Sequence, residues 1–471
     1  MKPLQLLPVV YAASSLACQD GDGHVHLDHS DSPGCGAGSH AVLGFGSDSL
    51  CVPDSDYLAA DQKILSQQAD DSQFQCPNGT CHNDSPAHIW THSTPCFKSS
   101  KSDNQYCVFT DHTFAEGRGT SFVTTAGRAG YLATYPAFSE PEIIKGINQD
   151  LVRTIPAVYD MKEFPGKGMG LEAKVDIRRG DLIMANTVSL MIDYRVFDEL
   201  ANDEWMQLQA FAVDYLPAQH RSAILNLSTH DGGNLSHVQR VNKITSTNAF
   251  DIDPDTDDVE QDNGFFVVFP EIARMNHDCR ANADYYFDHE TLTQYIHAIR
   301  PIKAGDEITL SYINPRMERD ARMQKLQRIW GFGCVCHLCT RKLARAEASD
   351  LRIRLINELL PELQNHNADS RATPEMAELL ISLHEQEELW GMMYEVYMYA
   401  AQEYNGAGDP WTAIKYAQLA VEWGNTAVGP KESSINDMRA LADDPWSHWS
   451  WMLRTKRRNG WEKRTKDDKD D

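Results

Sequence analysis

The sequence predicts an α+β fold in which a β-rich middle region is followed by a region of helices. Short apolar segments separated by turns such as Lys303–Asp306 fill the middle of the chain, and they favour small sheets over a doubly wound fold. From about residue 345 onward, apolar side chains recur at helical spacing instead. The cysteines divide the chain as well, because seven lie before residue 108 and the other four lie after residue 278.

These patterns predict five consecutive regions. The length of 471 residues suits about two to four domains, and a hydrophobic content of 42% is enough to fill their cores. The predicted regions are a signal peptide at 1–17, a Cys-rich extension at 18–150, a β-rich domain at 151–340 with a helical insert at 195–263, a helical domain at 341–453, and a charged tail at 454–471.

The first residues have the pattern of a secretory signal. Met1-Lys2 is followed by an apolar stretch at 4–16 that ends in small residues, with cleavage expected after Ala17. Because the charged part is minimal and Pro8 interrupts the apolar part, an ordinary apolar segment is the alternative. A cleaved signal predicts a luminal or extracellular protein, and an uncleaved segment predicts a nuclear or cytoplasmic one. No other run reaches the roughly 18 apolar residues of a membrane span.

The charge balance indicates which partners the chain disfavours. Its 68 acidic residues outnumber 43 basic ones, so the formal net charge is −25. Direct binding to nucleic acid is therefore disfavoured, whereas a basic, lysine-containing protein would be attracted; plain solubility is the alternative reading. The segment 251–263 holds seven acids in thirteen residues, which predicts a solvated loop or a guide for a basic substrate.

The N-terminal cysteines predict cross-linking. They lie in a region rich in Gly, Ser, Asp and His with few aliphatic residues, which suits a disulfide-stapled module. Seven is an odd number, so one thiol is unpaired or Cys18 leaves with the signal. A metal site is the alternative, although its candidates lack regular spacing: His24, His26, His29, Cys76, Cys81 and His82. The seven cysteines are Cys18, Cys35, Cys51, Cys76, Cys81, Cys96 and Cys107.

The C-terminal cysteines predict a metal site. Cys334, Cys336 and Cys339 lie within six residues, where two adjacent disulfides would be strained, and three converging thiolates suit tetrahedral zinc. A closed structural site needs a fourth ligand. Cys279 is one candidate and His337 is the other; a disulfide remains the alternative to zinc.

Several further motifs surround these cysteines. Glycines 166, 168 and 170 let the backbone approach a ligand closely, although alone they indicate only a turn. The remaining motifs are Asn248-Ala249-Phe250, Asn276-His277-Asp278-Cys279 with Asn282, Gly305-Asp306-Glu307-Ile308-Thr309-Leu310-Ser311-Tyr312, and Trp330-Gly331-Phe332 ahead of the Cys-x-Cys-x-x-Cys turn.

In their order and spacing, these motifs resemble the SET-domain protein lysine methyltransferases. The resemblance covers about 151–340 and is greatest to the SET-and-MYND group and related fungal-type proteins. A MYND finger is absent from the sequence, since the interval 195–263 contains no cysteine. The usual proline of the Asn-His-x-Cys-x-Pro-Asn motif is replaced by Ala281, which loosens a turn without removing a ligand.

The resemblance implies a knot-like core, an activity and a set of site residues. It implies methyl transfer to a lysine amine, with Tyr312 as the catalytic tyrosine and zinc as a structural ion. The zinc ligands that it implies are Cys279, Cys334, Cys336 and Cys339. The residues that it implies for binding S-adenosylmethionine are Lys167, Gly168, Met169, Asn248, Asn276, His277 and Phe332, the last covering the adenine.

A second functional class remains open at this point. A secretory signal would place a thiolate zinc site and a cytosolic cofactor in an oxidising compartment, so either the signal or the activity is in doubt. The alternative function is a catalytically silent, secreted or luminal interaction protein built on a SET scaffold.

The C-terminal region predicts three helices and their starts. The first has an apolar stripe of Leu351, Leu355, Ile356 and Leu359. Thr373-Pro374 begins the second, whose apolar residues are Met376, Leu379, Leu380 and Leu383, and Asp409-Pro410 begins the third, which runs through Trp423. Residues 404–420 resemble one tetratricopeptide-like helix pair, which predicts a packed lid beside the SET domain, because one pair cannot form a solenoid.

Overall fold

The computed structural model describes residues 39–43, 49–53, 55–56, 59–60, 89–148, 157–229, 234–252, 264–367 and 370–458. The predicted signal peptide lies outside these residues, as do Cys18, Cys35, Cys76, Cys81, most of 251–263 and most of the tail; of Cys51 only the backbone is described. The described chain is mixed α+β, as predicted. Its described residues form two compact units, one from the described residues within 1–139, 189–270 and 328–331, the other from those within 140–188, 271–327 and 332–471.

Fifteen strands occur in the described residues. They are β1 (Ser39–Leu43), β2 (Ser49–Pro53), β3 (Cys96–Lys98), β4 (Gln105–Asp111), β5 (Thr120–Thr125), β6 (Tyr159–Phe164), β7 (Gly168–Ala173), β8 (Leu182–Thr187), β9 (Leu190–Asp193), β10 (Ala249–Ile252), β11 (Phe265–Val268), β12 (Asn276–His277), β13 (Ala283–Asp288), β14 (Thr293–Ala298) and β15 (Glu307–Leu310).

The α-helices of the described residues are numbered in the same way. They are α1 (Phe114–Gly117), α2 (Ala126–Leu132), α3 (Pro136–Ser139), α4 (Arg195–Glu199), α5 (Asn202–Asp214), α6 (Ala218–Leu225), α7 (His237–Asn248), α8 (Arg319–Trp330), α9 (Leu343–Gln364), α10 (Pro374–Gln386), α11 (Met393–Ala407), α12 (Pro410–Ala427), α13 (Ser433–Asp443) and α14 (Leu453–Arg458). Short 3-10 turns lie at Pro141–Ile144, Ile272–Arg274 and Trp390–Met392.

The first unit is built on a six-stranded sheet with the order β10-β11-β9-β5-β4-β3. Strand β5 lies parallel to β9, with Ser121 opposite Leu190, and antiparallel to β4. Residues 105–111 and 120–125 are almost wholly buried, so their backbone N–H and C=O groups need hydrogen-bond partners on both edges. Strands of the Cys-rich extension therefore share a sheet with strands of the predicted SET region, and helices α4–α7 occupy much of the predicted insert.

One predicted cross-link is present in the first unit. Cys96 and Cys107 form a disulfide between β3 and β4, where the two residues are directly opposite each other. In the same unit, the Asp193 carboxylate is fully buried and contacts Arg128 Nη1 at 2.8 Å and Arg195 Nη2 at 2.9 Å. These cations hold the pKa of Asp193 below its usual value despite the opposing effect of burial.

The second unit contains two small sheets. One has the order β12-β15-β7-β6, and the other has the order β13-β14-β8. In the first of these, β12 and β15 run parallel, with Asn276 opposite Thr309 and His277 opposite Leu310. This pairing brings together two segments that lie more than 30 residues apart in the chain.

Two helices of the second unit begin where the sequence predicts. The Thr373 side chain accepts a hydrogen bond from the Met376 N–H, and the Asp409 side chain accepts one from the Thr412 N–H, so both are N-caps. The buried side chains of α9–α13 form one apolar core. In the part of the chain that the structure describes, no helix combines the length and apolar character needed to cross a bilayer.

The predicted apolar stripe of α9 is wrong in one position. Leu351 is 61% exposed, whereas Ile353 and Ile356 are fully buried. With 3.6 residues per turn, the buried face runs through residues 349, 353, 356, 360 and 363, and Leu351 lies outside it. Leu379 of α10 is likewise 42% exposed, while Leu380 and Leu383 are buried as predicted.

A partly buried carboxyl, that of Asp284, lies where β13 approaches the Trp390–Met392 turn. A Cβ added to Gly391 would lie only 2.1 Å from Asp284 Oδ2, so no side chain fits between the two. Burial raises the pKa of Asp284 to about 6, and the hydrogen bond from the Tyr285 N–H, 2.9 Å long, offsets this only in part. The folded state therefore favours the protonated carboxyl.

We expect Asp284→Asn to stabilise the protein at alkaline pH. The contribution of Asp284 to stability is present at low pH and is lost as the pH rises from about 4 through about 6, because the raised pKa means that the folded state binds the proton more tightly. Urea unfolding of the wild type and of Asp284→Asn measures the effect. The free energy of unfolding of the variant should be higher by on the order of 1 kcal/mol at pH 8 and by less at pH 5. An equal difference in the free energy of unfolding at both pH values would contradict the raised pKa of Asp284.

Candidate functional site

The parallel pairing of β12 and β15 assembles the site. The Asp278 N–H donates to the Leu310 carbonyl at 3.0 Å, which extends the pairing beyond His277. The buried Asn282 side chain reinforces it, because its Nδ2 donates to the Glu307 carbonyl and its Oδ1 accepts from the Thr309 N–H. The side chains at 276 and 277 are thereby held beside the residues that follow β15.

His277 joins two parts of the site through its ring. The Tyr312 N–H donates to Nδ1 at 3.0 Å, so Nδ1 is an acceptor and the ring proton lies on Nε2. Nε2 lies 3.3 Å from Cys279 Sγ, towards which it can donate. Burial lowers the pKa of His277 to about 4, so the ring is neutral at physiological pH.

Tyr312 lies against His277 with its hydroxyl engaged. The two ring centroids are 5.3 Å apart, and the Tyr312 hydroxyl donates to the Met275 carbonyl at 2.7 Å. Burial raises the pKa of Tyr312 well above its ordinary value of 10, so the phenol keeps its proton. Phe332 packs on the same imidazole, with ring centroids 6.1 Å apart.

The glycine-rich turn between β6 and β7 approaches Asn276 closely. Gly166 and Gly168 have φ of 74° and 76°, which L side chains rarely adopt. Gly170 leaves no room for a side chain, because an added Cβ would lie 2.6 Å from Asn276 Nδ2 and 3.0 Å from Glu307 Oε1. The sequence prediction concerns the approach of this backbone to a ligand, and it stays a prediction; the structure describes the close approach of Gly170 to Asn276 and Glu307.

Glu307 connects the turn to the Asn-His strand. Its Oε1 accepts from Asn276 Nδ2 at 2.9 Å, and its Oε2 pairs with Lys167 Nζ at 2.5 Å. Neither Glu307 nor the Met275 carbonyl is among the predicted site residues. Glu307 lies within the Gly305–Tyr312 motif. Its alternation with the buried Ile308 is the one signal in the sequence that its side chain lies on the opposite face of β15 from that of Ile308.

The four predicted thiols come together. The sulfurs of Cys279, Cys334, Cys336 and Cys339 all lie within 4.8 Å of one another, and none of the four forms a disulfide. Cys279 Sγ is 3.9 Å from Cys334 Sγ and 3.6 Å from Cys339 Sγ. Sulfurs bound to one zinc at about 2.3 Å in a tetrahedron are about 3.8 Å apart, so this donor set fits the ion.

His337 lies apart from this cluster. Its side chain is 49% exposed, and its Nε2 lies 3.6 Å from Glu388 Oε1. Among the described residues, these four thiols are the one group of His, Cys, Asp or Glu side chains whose ligand atoms lie close enough together to hold a metal ion. The geometry thus favours Cys279 over His337 as the fourth ligand.

Asn248 lies in the first unit, whereas the other predicted cofactor-binding residues lie in the second. Its Nδ2 donates to the carbonyls of Ser228 and Ile244 at 2.9 and 2.8 Å. Lys167, Gly168 and Met169 occupy the turn and the start of β7, and Met169 is 42% exposed. The roles of all these residues in binding a cofactor remain predictions.

Comparisons with known proteins agree with the motifs. The model of the SET domain matches residues 168–313. Histone-lysine N-methyltransferase set5 of Schizosaccharomyces pombe is 29% identical over 203 residues, which are 41% of this chain and 54% of the relative. A SET and MYND domain-containing protein of Dictyostelium discoideum is 28% identical over 193 residues, 36% of this chain and 54% of the relative. The chain thus spans about half the length of these relatives.

Solved structures give a weaker likeness. The Neurospora SET domain protein DIM-5, a histone lysine methyltransferase, is 16% identical, covers 36% of this chain and 56% of its own, and has a TM-score of 0.20. The resemblance predicted from the motifs is confirmed by the sequence comparisons.

We expect Cys334→Ser to release bound zinc, since three thiolates cannot close a structural tetrahedral site. Metal analysis of the purified wild type should find about one zinc per chain, and the variant should hold much less. The double variant Cys96→Ser/Cys107→Ser is the control, because it removes two sulfurs that lie outside the cluster. Full metal retention in Cys334→Ser would contradict the assignment.

Proposed function

Because residues 168–313 match the model of the SET domain, we propose that the protein transfers methyl groups from S-adenosylmethionine to lysine side chains of a basic protein. The observation that carries this proposal is the arrangement around His277, whose ring contacts both the Tyr312 backbone and a thiol of the four-cysteine cluster. Several curated relatives are named histone-lysine N-methyltransferases, which makes histones the first substrates to test.

The cofactor-binding residues proposed are those of the glycine-rich turn, the Asn-His strand and Phe332. S-adenosylmethionine, when bound, supplies the methyl group. The close approach of Gly170 to Asn276 supports this location, because it presents backbone polar groups without intervening side chains. Lys167 and Asn276 both contact Glu307, so this carboxylate is proposed to keep their side chains in position. The predicted role of Asn248 in binding the cofactor stays a prediction.

Tyr312 is proposed to align the lysine amine. Its phenol stays protonated, so it acts through hydrogen bonding and not as a base. Because its proton is donated to the Met275 carbonyl, its oxygen lone pairs can accept from an amine N–H and direct the nitrogen lone pair towards the methyl carbon. Burial of the amine beside aromatic rings lowers its pKa, and the proton leaves to solvent.

Zinc is proposed to have a structural role. Four buried thiolates around one ion would join Cys279 to the turn that follows Phe332. The Phe332 ring would thus be held against His277, where it helps to exclude water from the reacting amine.

The nucleus or cytoplasm is the compartment proposed for this activity. Unpaired thiols persist in reducing compartments, and four of them are buried together in this protein. The Cys96–Cys107 disulfide is the observation that favours the silent secreted scaffold instead. Cofactor binding distinguishes the two functions.

Calorimetric titration with S-adenosylmethionine is the first test, with zinc determined on the same sample. The wild type should bind at one saturable site. Gly170→Ala should bind about tenfold more weakly or worse, because its methyl group would displace Asn276, and overpacking costs about 1–3 kcal/mol. Gly130→Ala is the control, since a Cβ there meets nothing within 4 Å. A folded, zinc-loaded wild type that fails to bind would overturn the proposed function.

Turnover of Tyr312→Phe should fall by about 100-fold or more, while S-adenosylmethionine binds as in the wild type. The phenol is the group proposed to orient the amine, and Phe keeps the ring that packs on His277. Single-turnover methylation of a histone substrate measures the effect. Tyr404→Phe, which removes a hydroxyl bonded to Glu378 in the helical region, is the matched control. Equal turnover in Tyr312→Phe would remove the catalytic assignment.

A further inference from the structure

Two consecutive glutamates follow α10 and contact both chain segments that supply the four thiols. We name Glu387 and Glu388 the acidic corner. Cys279 belongs to one segment, and residues 334–339 belong to the other. The two segments are 55 residues apart in the chain at their nearest cysteines, so contacts elsewhere in the fold can help to hold them together.

Glu387 reaches the first segment through Arg280. Its Oε2 accepts from Arg280 Nη2 at 3.1 Å, and Arg280 Nη1 donates to the Cys279 carbonyl at 2.8 Å. Both charged side chains are buried, with exposures of 2% for Arg280 and 0% for Glu387. A buried guanidinium is retained only where its charge is paired, so Glu387 restricts where Arg280, and with it the Cys279 backbone, can lie.

Glu387 is itself fixed by α9. Its Oε1 accepts from Arg352 Nε at 2.7 Å, and its Oε2 accepts from the Ser349 hydroxyl at 2.6 Å. The carboxylate therefore has partners on both oxygens and cannot turn away from Arg280 without leaving buried donors unpaired.

Glu388 reaches the second segment. Its Oε1 lies 3.4 Å from Arg341 Nη2 and 3.6 Å from His337 Nε2. His337 lies between two of the cysteines, and Arg341 lies two residues beyond the last of them. The Glu388 carboxylate thus contacts the cysteine turn through His337 and Arg341, which are not among the proposed metal ligands.

The backbone of Glu388 is strained. Its φ is 55°, in the left-handed region that is costly for a residue other than Gly, Asn or Asp. This left-handed residue ends α10, where the Leu389 N–H donates to the His384 carbonyl at 2.9 Å.

We propose that the acidic corner positions the two thiol-bearing segments and so slows the loss of the metal from the cluster. Glu387 acts through Arg280 on the Cys279 side, and Glu388 acts through Arg341 and His337 on the other side. Both are positioning residues, since neither contacts a sulfur. The inference rests on the zinc site of the proposed function. Its test measures the rate of zinc release and not methylation.

The test measures the release of zinc from the full-length protein into excess chelator, followed with a coloured zinc indicator. Glu388→Asn should release zinc about threefold faster, the factor expected for an exposed ion pair. Its melting temperature should be equal to that of the wild type or higher, because Asn tolerates the left-handed backbone. Glu387→Gln should release zinc about tenfold faster or more, as the loss of an outer-shell partner does at other metal sites.

Glu385→Gln is the matched control, since Glu385 is an exposed acid on the last turn of the same helix. Its release rate should equal that of the wild type. If Glu388→Asn lowers the melting temperature, Glu388→Gln, which keeps a side chain of the same length, is compared instead. Arg341→Met should also speed release, and combining it with Glu388→Gln should add nothing to the effect of Glu388→Gln alone, because Glu388→Gln already removes the contact with Arg341.

Two results would overturn the inference, and they are distinguishable. Equal release rates in the wild type and in the Glu387 and Glu388 variants would refute the positioning role alone. A folded wild type that holds no zinc would refute the metal site and the positioning role together. Faster release from Glu388→Asn without a fall in its melting temperature is the expected outcome, and a purely structural role would not produce it.

Discussion

The site depends on the neutral state of one buried imidazole. Because the Tyr312 N–H already donates to Nδ1 of His277, a second proton on that nitrogen would place two donors against each other. Burial opposes the charged ring as well, and the two effects act in the same direction. The remaining ring proton then faces Cys279 Sγ, where a thiolate accepts it better than a thiol does. One side chain thus relates the tyrosine, the Asn-His strand and the cysteine cluster.

Features that depend on short stretches of sequence could be predicted. The N-caps Thr373 and Asp409 are local, because a side-chain oxygen satisfies an N–H three residues away. The Cys-x-Cys-x-x-Cys turn is local as well, because its three cysteines lie within six residues of the chain. The choice between Cys279 and His337 could not be made from spacing, since it depends on how the turn directs each side chain. His337 faces Glu388, a residue 51 positions further along the chain.

Features that depend on distant contacts could not be predicted. Glu387 and Glu388 lie at the end of an amphipathic helix, where acids are ordinary solvated residues, and only the folded chain brings them to Arg280 and Arg341. The α9 stripe shows a related limit, because leucines at 351 and 355 have helical spacing, yet only Leu355 packs against the core. Periodicity indicates a helix without showing which of its faces the tertiary structure buries.

The position of β5 has a consequence for any shortened form of the protein. Its N–H and C=O groups pair with β9 on one side and β4 on the other, so β5 is an interior strand contributed from outside residues 168–313. A recombinant fragment cut to those limits would leave β9, whose four side chains are all buried, as an open apolar edge. Unpaired edges of this kind join to edges of other chains. Aggregation of such a fragment would therefore reflect the missing neighbour, not an unstable domain.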